Sequence, residues 1–393
     1  MRSETLARSE NETMMKQQSS AAAARMRILD AQDRESWDEW LSAWRRCANG
    51  DMFSHPAYLV DRAESGQTPL AAEFDDGRGS RVLFAFLLRR IDSDVLGRSS
   101  VAQKFFDITT ALYYGGPLCS LADGTEEATL LETFWDRFRQ WARSQRIVSE
   151  FHRENPVSGG LSSYPGQRIE QAGHVVKELG GRTEADLLGD TSKSFRRSVR
   201  KAEAAGINVI VDETGERLDD FLDLYYATMD RNHASARFYY PREFFDMLNT
   251  SLAGRVAYLY ALDNGRPISA ELVAYCAEIG YSVLGATEES SLRTGVNSLL
   301  SHQAFLYAQT RGIKHYVLGG GVTNAADDSL LRYKLSMAKS GLRSYFTAQQ
   351  VIDEERYIRL SSGHSCNSTF FPTYRSDCSC GYGDQIADSE SKR

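Results

Sequence analysis

The stretch Gly295 to Ser344, GVNSLLSHQAFLYAQTRGIKHYVLGGGVTNAADDSLLRYKLSMAKSGLRS, constrains the fold of this chain more than any other. Its spacing predicts a helix from Asn297 to Arg311, with Leu300, Ala304, Tyr307 and Ala308 on one face and a stop at Gly312. A strand, His315 to Leu318, then runs into Gly319, Gly320 and Gly321, and a second helix carries Lys334 back toward that glycine turn. Backbone donors at a helix start and a strand end, with a cation close by, are the parts that acyl transfer needs where negative charge develops on a carbonyl.

Upstream, helices are expected at Asp219 to Arg231 and Arg242 to Leu252. Strands follow at Val256 to Ala261 and Ile268 to Cys276, joined by the turn DNGR, and a third at Tyr281 to Ala286. Hairpins closed by a right-handed strand-helix-strand crossover make a mixed sheet, so the fold class is α/β. The first half repeats the mixture, with an amphipathic Trp37 to Cys47, a buried strand Val82 to Ile91 and a helix Glu126 to Arg143. At 393 residues and 42% hydrophobic, the chain exceeds a single core and can fill two. We therefore expect a polar, disordered leader (1–26), one domain over 27–178, a second over 179–360 and a mostly disordered tail (361–393).

The net charge of -7 argues against a surface coated with positive charge for non-specific nucleic-acid binding, but not against a local basic groove. No apolar run approaches the ~18 residues of a membrane span, and the expected location is cytoplasmic. The six cysteines form neither a disulfide framework nor a paired CxxC site; the tail set His364, Cys366, Cys378 and Cys380 has an awkward CxC spacing. No metal is expected.

Several residues stand out as candidates. Lys193, Arg196, Arg197, Arg200 and Lys201 place five cations in nine residues before the first acid, either a phosphate-binding face or a solvated one. Arg153 and Arg237 lie among apolar and aromatic residues and need a partner if buried, such as Asp107 or Glu154. Tyr113 and Tyr114 before Gly115 and Gly116 read first as a structural turn. Asn297 is a ligand contact or simply a helix N-cap. His233 and His302 have no nucleophile at a recognisable spacing. By itself, Lys334 on an amphipathic helix reads as a solvated charge.

The hairpin and crossover layout resembles the GNAT acyltransferase core. That family seats the coenzyme A pyrophosphate on a Gln/Arg-x-x-Gly-x-Gly/Ala turn; here Arg293 to Ser298 has one glycine, out of register. Phrases along most of the chain resemble the FemABX-type (FemAB-like, BioF2-like) aminoacyltransferases: DMFSHPAYL, DITTALYYGGPL, SEFHRENPV, KSFRRSVRKAEAAGI, YYATMDRNHASARFYYPREFF, LLRYKLSMAKSG and FFPTYR. The resemblance implies two tandem GNAT-like domains and a cleft that takes aminoacyl-tRNA as co-substrate, with acyl-CoA as the alternative and no cofactor. It further implies a small-molecule or peptide amine as acceptor, of the peptidoglycan-precursor or natural-product type. Lys334 matches the family's catalytic lysine and Tyr333 its preceding aromatic. Donor or acceptor contacts are then expected from Arg153, Arg197, Arg237, Tyr114, Asp107, Asn297, Gly319 and Gly320.

Overall fold

The computed structural model describes residues 24–47, 51–91, 104–157, 163–323, 328–362 and 370–376. The chain opens with β1 (Arg25–Asp30), α1 (Arg34–Arg46) and α2 (Pro56–Arg62), then β2 (Gln67–Asp75), β3 (Arg81–Ile91), β4 (Phe105–Thr109) and the short β5 (Leu118–Ser120). Next, α3 (Glu127–Ser144) crosses to β6 (Ile147–Arg153), and β7 (Gln167–Glu178) follows. The second half runs α4 (Glu184–Gly189), α5 (Lys193–Ala204), β8 (Asn208–Asp212), α6 (Leu218–Arg231), α7 (Arg242–Ser251), β9 (Val256–Asp263), β10 (Arg266–Cys276) and β11 (Ile279–Thr287). It closes with α8 (Val296–Thr310), β12 (His315–Gly319), α9 (Ser329–Met337), β13 (Leu342–Val351) and α10 (Glu354–Ser361).

One pattern thus occurs twice. An antiparallel run, β1 to β4 or β8 to β11, ends in a helix that returns the chain parallel to the last strand, β6 beside β4 and β12 beside β11. The two runs share a 13-stranded sheet, in which β13 inserts between β6 and β7 while β7 pairs with β12. The strand that ends each half is therefore hydrogen-bonded into the other. Packing follows the same logic: Trp40, Phe53 and Tyr114 share one buried cluster with Phe221, Phe245 and Tyr281.

Local sequence explains the helices. In α3 the apolar residues Leu130, Leu131, Phe134, Trp135 and Phe138 recur at helical spacing and are buried. They lie against Phe84, whose ring centroid is 5.2 Å from Trp135 and 5.3 Å from Phe138. Burying each such aromatic is worth about 1.5–3 kcal/mol. The Ser192 hydroxyl caps α5 by accepting from Phe195 N.

Short pieces of both expected terminal segments are packed. Arg25 and Met26, placed in the expected leader, pair in β1 with Asp75 and Phe74. Within the expected tail, residues 370–376 are packed: Tyr374 is buried with Ile91, Phe105 and Val148. The set His364, Cys366, Cys378 and Cys380 lies outside the described residues.

Candidate active site

The parallel pair β11–β12 holds only from Ile279/His315 to Tyr281/Val317, after which the two strands no longer pair with each other, although β11 stays paired with β10 and β12 with β7. Beside this parting lies a cleft of about 540 Å³, lined by strand residues Glu271 and Ser282, by Asn297 and Ser301 of α8, and by Tyr333 and Lys334 of α9. The crossover turn and the glycine run that dominate the sequence therefore meet where the sheet opens.

Each of the three glycines makes room for a specific side chain. Gly319 has φ +82, and a Cβ there would lie 3.3 Å from Lys334 Nζ and 3.7 Å from the Tyr114 hydroxyl. A Cβ on Gly320 would fall 2.8 Å from the His174 ring, and one on Gly321 2.6 Å from the Asp328 carboxylate. Asp328 caps α9 by accepting from Leu331 N and also accepts from Val322 N and Thr323 N. Burial pushes its pKa up, but these donors win and hold it at about 2. The helix start is thereby fixed to the glycine turn.

Lys334 Nζ donates to the Gly320 carbonyl at 2.6 Å. Burial draws its pKa down to about 8, against the pull of Asp328 and Glu271. Glu271 sits in the middle of β10, its Oε1 accepting from Ser282 Oγ at 2.7 Å and from the Tyr316 hydroxyl at 3.1 Å. Burial raises its pKa, and these hydroxyls and Lys334 only partly counter it. Tyr333 leaves its ring partly exposed while its hydroxyl faces Ser301, Ser298 and Glu271; burial pushes that hydroxyl up to about 12. On the far side of Lys334 the Tyr114 hydroxyl is 2.9 Å from His174 Nδ1. His174 stacks on Tyr345 at 4.0 Å and is drawn down to about 3 by burial and then by the Lys334 cation, so it is neutral.

Of the residues singled out in the sequence, Lys334, Tyr333, Asn297, Gly319, Gly320 and Tyr114 converge here. Asn297 is not the N-cap. Gly295 takes that position with φ 93, and Asn297 Oδ1 instead accepts from Thr287 Oγ1 at 2.6 Å and Ser269 Oγ at 3.2 Å, tying α8 to the sheet. Asp107 is elsewhere: wholly buried, it takes Arg89 on Oδ1 and Arg375 and Tyr374 on Oδ2. It partners neither Arg153 nor Arg237, and Glu154 pairs with Arg168. Arg153 lies over Phe151 in β6, while Arg237 stacks on Phe238 at the surface; neither lines the cleft. Arg197 is exposed on α5.

Glu271 and His174 were missed. The available signal for Glu271 was a lone carboxylate inside the apolar strand run PISAELVAYC, where an ionisable group without a role is costly.

Residues 189–335 match the family model of the acetyltransferase (GNAT) domain. This segment is similar to a GNAT-type acetyltransferase domain. It contains the cleft residues Glu271, Asn297, Tyr333 and Lys334. Among solved structures the chain is similar to FemX, with 12% identity and a TM-score of 0.60 over 82% of this chain and 97% of that one. It also resembles the C-terminal DUF2156 domain of a putative lysylphosphatidylglycerol synthetase from Agrobacterium fabrum, with 8% identity and a TM-score of 0.50 over 79% and 92% of the two chains. At these identities the likeness is one of fold. No curated protein matches the sequence. The FemABX-type resemblance thus rests on a family match across the second half and a shared fold across both. Among the described residues no helix is long and apolar enough to cross a membrane.

Proposed function

We propose that this chain transfers an aminoacyl group from aminoacyl-tRNA to the amine of a small-molecule or peptide acceptor. The observation that carries this reading is the half-buried cation Lys334 held against the Gly319–Gly320 backbone, with the carboxylate Glu271 in the same cleft. The acceptor nitrogen attacks the ester carbonyl, and a tetrahedral oxyanion forms. The carbon–oxygen bond to the tRNA then breaks, and the released hydroxyl takes a proton. The Lys334 ammonium, protonated at neutral pH with its pKa near 8, offsets the oxyanion charge. Glu271, made more basic by burial, accepts the amine proton and returns it to the leaving oxygen. An ester is activated enough that positioning and charge stabilisation supply most of the acceleration.

The donor assignment is supported by the start of α8. A Cβ on Gly295 would lie 2.3 Å from the Ser198 carbonyl oxygen, so the backbone of α5 passes directly against the N-cap of α8. A coenzyme A pyrophosphate, itself an acceptor, is repelled by that oxygen, and the turn holds a single glycine, which favours the tRNA donor. With a tRNA donor, the expected place of the reaction is the cytoplasm. The second reading, an acyl-CoA-dependent N-acyltransferase, draws on the GNAT family match.

A paired assay tests the choice: the protein is incubated with an amine extract and either labelled aminoacyl-tRNA or labelled acetyl-CoA, with Lys334→Ala beside the wild type. Label passing from tRNA into an amide, and lost in the variant, is the expected result. Label passing only from acetyl-CoA replaces this reading with the second.

A further inference from the structure

Helix α5 does not line the cleft itself but packs against two helices that do. At its start, Ser192 N donates to the Ser336 carbonyl of α9, the helix that bears Lys334. Near its end, Ser198 packs on Gly295, and Lys201 Nζ donates to the Arg293 carbonyl at 2.7 Å, next to the cleft-lining Leu292. The helix therefore bridges α8 and α9, two of the helices that line the site. Phe195, Val199 and Ala202 form its buried face. Lys193, Arg197, Arg200 and Lys201 are all exposed and fall within one arc of the opposite face. From Lys193 to Lys201 this row spans about 12 Å. It stands out on a chain of net charge -7.

We propose that this face of α5 is the docking surface for the phosphate backbone of an RNA whose 3′ end enters the cleft, an assignment that rests on the tRNA-donor reading above. A row of exposed cations beside the site, with no acidic residue from Lys193 to Ala202, draws in a polyanion and lets it slide to register without reading its sequence. RNA is favoured over an anionic membrane because α5 has no exposed large hydrophobic side chain to enter lipid. The long flexible cations also explain why the α8 start can do without a glycine cradle: phosphate recognition has moved one helix away.

The test measures binding of deacylated bulk tRNA and of phosphatidylglycerol vesicles at several salt concentrations. It compares the wild type, the triple variant Lys193→Gln/Arg197→Gln/Arg200→Gln, and a control triple on the far half, Arg78→Gln/Arg137→Gln/Arg143→Gln. Thermal melts show that each is folded. In the α5 triple we expect tRNA affinity to fall at least about tenfold and the log–log salt slope to become shallower by about 2 to 3, while the control keeps both. If the α5 triple binds tRNA as tightly as the wild type, or the control loses as much, this surface assignment is overturned and the tRNA-donor reading stands. Wild-type protein that binds no tRNA and transfers from acetyl-CoA overturns both. Binding to vesicles but not tRNA, abolished in the α5 triple, overturns it in favour of a membrane.

Discussion

Asp107 and Glu271 are both strand carboxylates buried in the sheet, one in each half, yet they belong to different kinds of site. Asp107 is saturated: two guanidinium groups and a phenol take both its oxygens, and Arg375 also donates to the Arg90 carbonyl. Among the described residues Glu271 has only neutral hydroxyls as hydrogen-bond partners, and it shares an open cleft with Lys334. Burial and residue type do not distinguish them; what fills their coordination does. A buried charge whose opposite charges are supplied by the chain is a clasp, and one that faces a cavity is available for chemistry.

The sharpest way to break this comparison is Lys334→Ala. It should lower the transfer rate by about 10²–10³ while leaving the melting temperature nearly unchanged, because it removes a donor from the reacting oxygen. A loss under about tenfold in the labelled-tRNA assay would put the chemistry elsewhere. Arg375→Met should do the reverse: unfolding in urea would show a loss of about 3–5 kcal/mol, the cost of leaving Asp107 short of a cation, with kcat of the folded protein unaltered. Glu271→Gln should cost about 10² in rate and remove the acid limb of the pH profile. The asparagine change at Asp107 should leave that limb in place.

The pH dependence also follows with a definite sign. Lys334 acts as its ammonium form, which is lost as pH rises through about 8. The wild-type rate should therefore decline by about tenfold per unit above that pH, and a Lys334→Arg variant with residual activity should not show the decline, because guanidinium stays charged. The smallest effect is expected for Tyr114→Phe. Losing its hydrogen bond to His174 should cost about 0.5–1.5 kcal/mol in stability and change KM more than kcat, as measured by steady-state kinetics.

Much of the second half was legible in advance. The strands and the crossover helix lie where period-two and period-3.6 patterns place them, and Gly312 ends the helix with φ 77. Lys334 was legible through resemblance and through its distance from the glycine run. Glu271 was not, because strand alternation says which residues share a face but not that the face meets a cavity. Asp107 misled for a related reason: its partner Arg375 lies 268 positions away, and no local pattern links them. The exchange of β7 and β13 was equally hidden, since strand order depends on long-range pairing.

By itself, the sequence determined the element order, the glycine turn at Gly319 to Gly321 and the basic face of α5, because each depends on neighbours within a few residues. Tertiary structure alone decided which buried charges are clasped and which face the cleft. It also decided that Asn297 tethers a helix instead of capping it, and that the α5 backbone passes against the N-cap of α8. Those outcomes depend on the energetics of burial and pairing between residues far apart in the chain, which only the folded arrangement brings into contact.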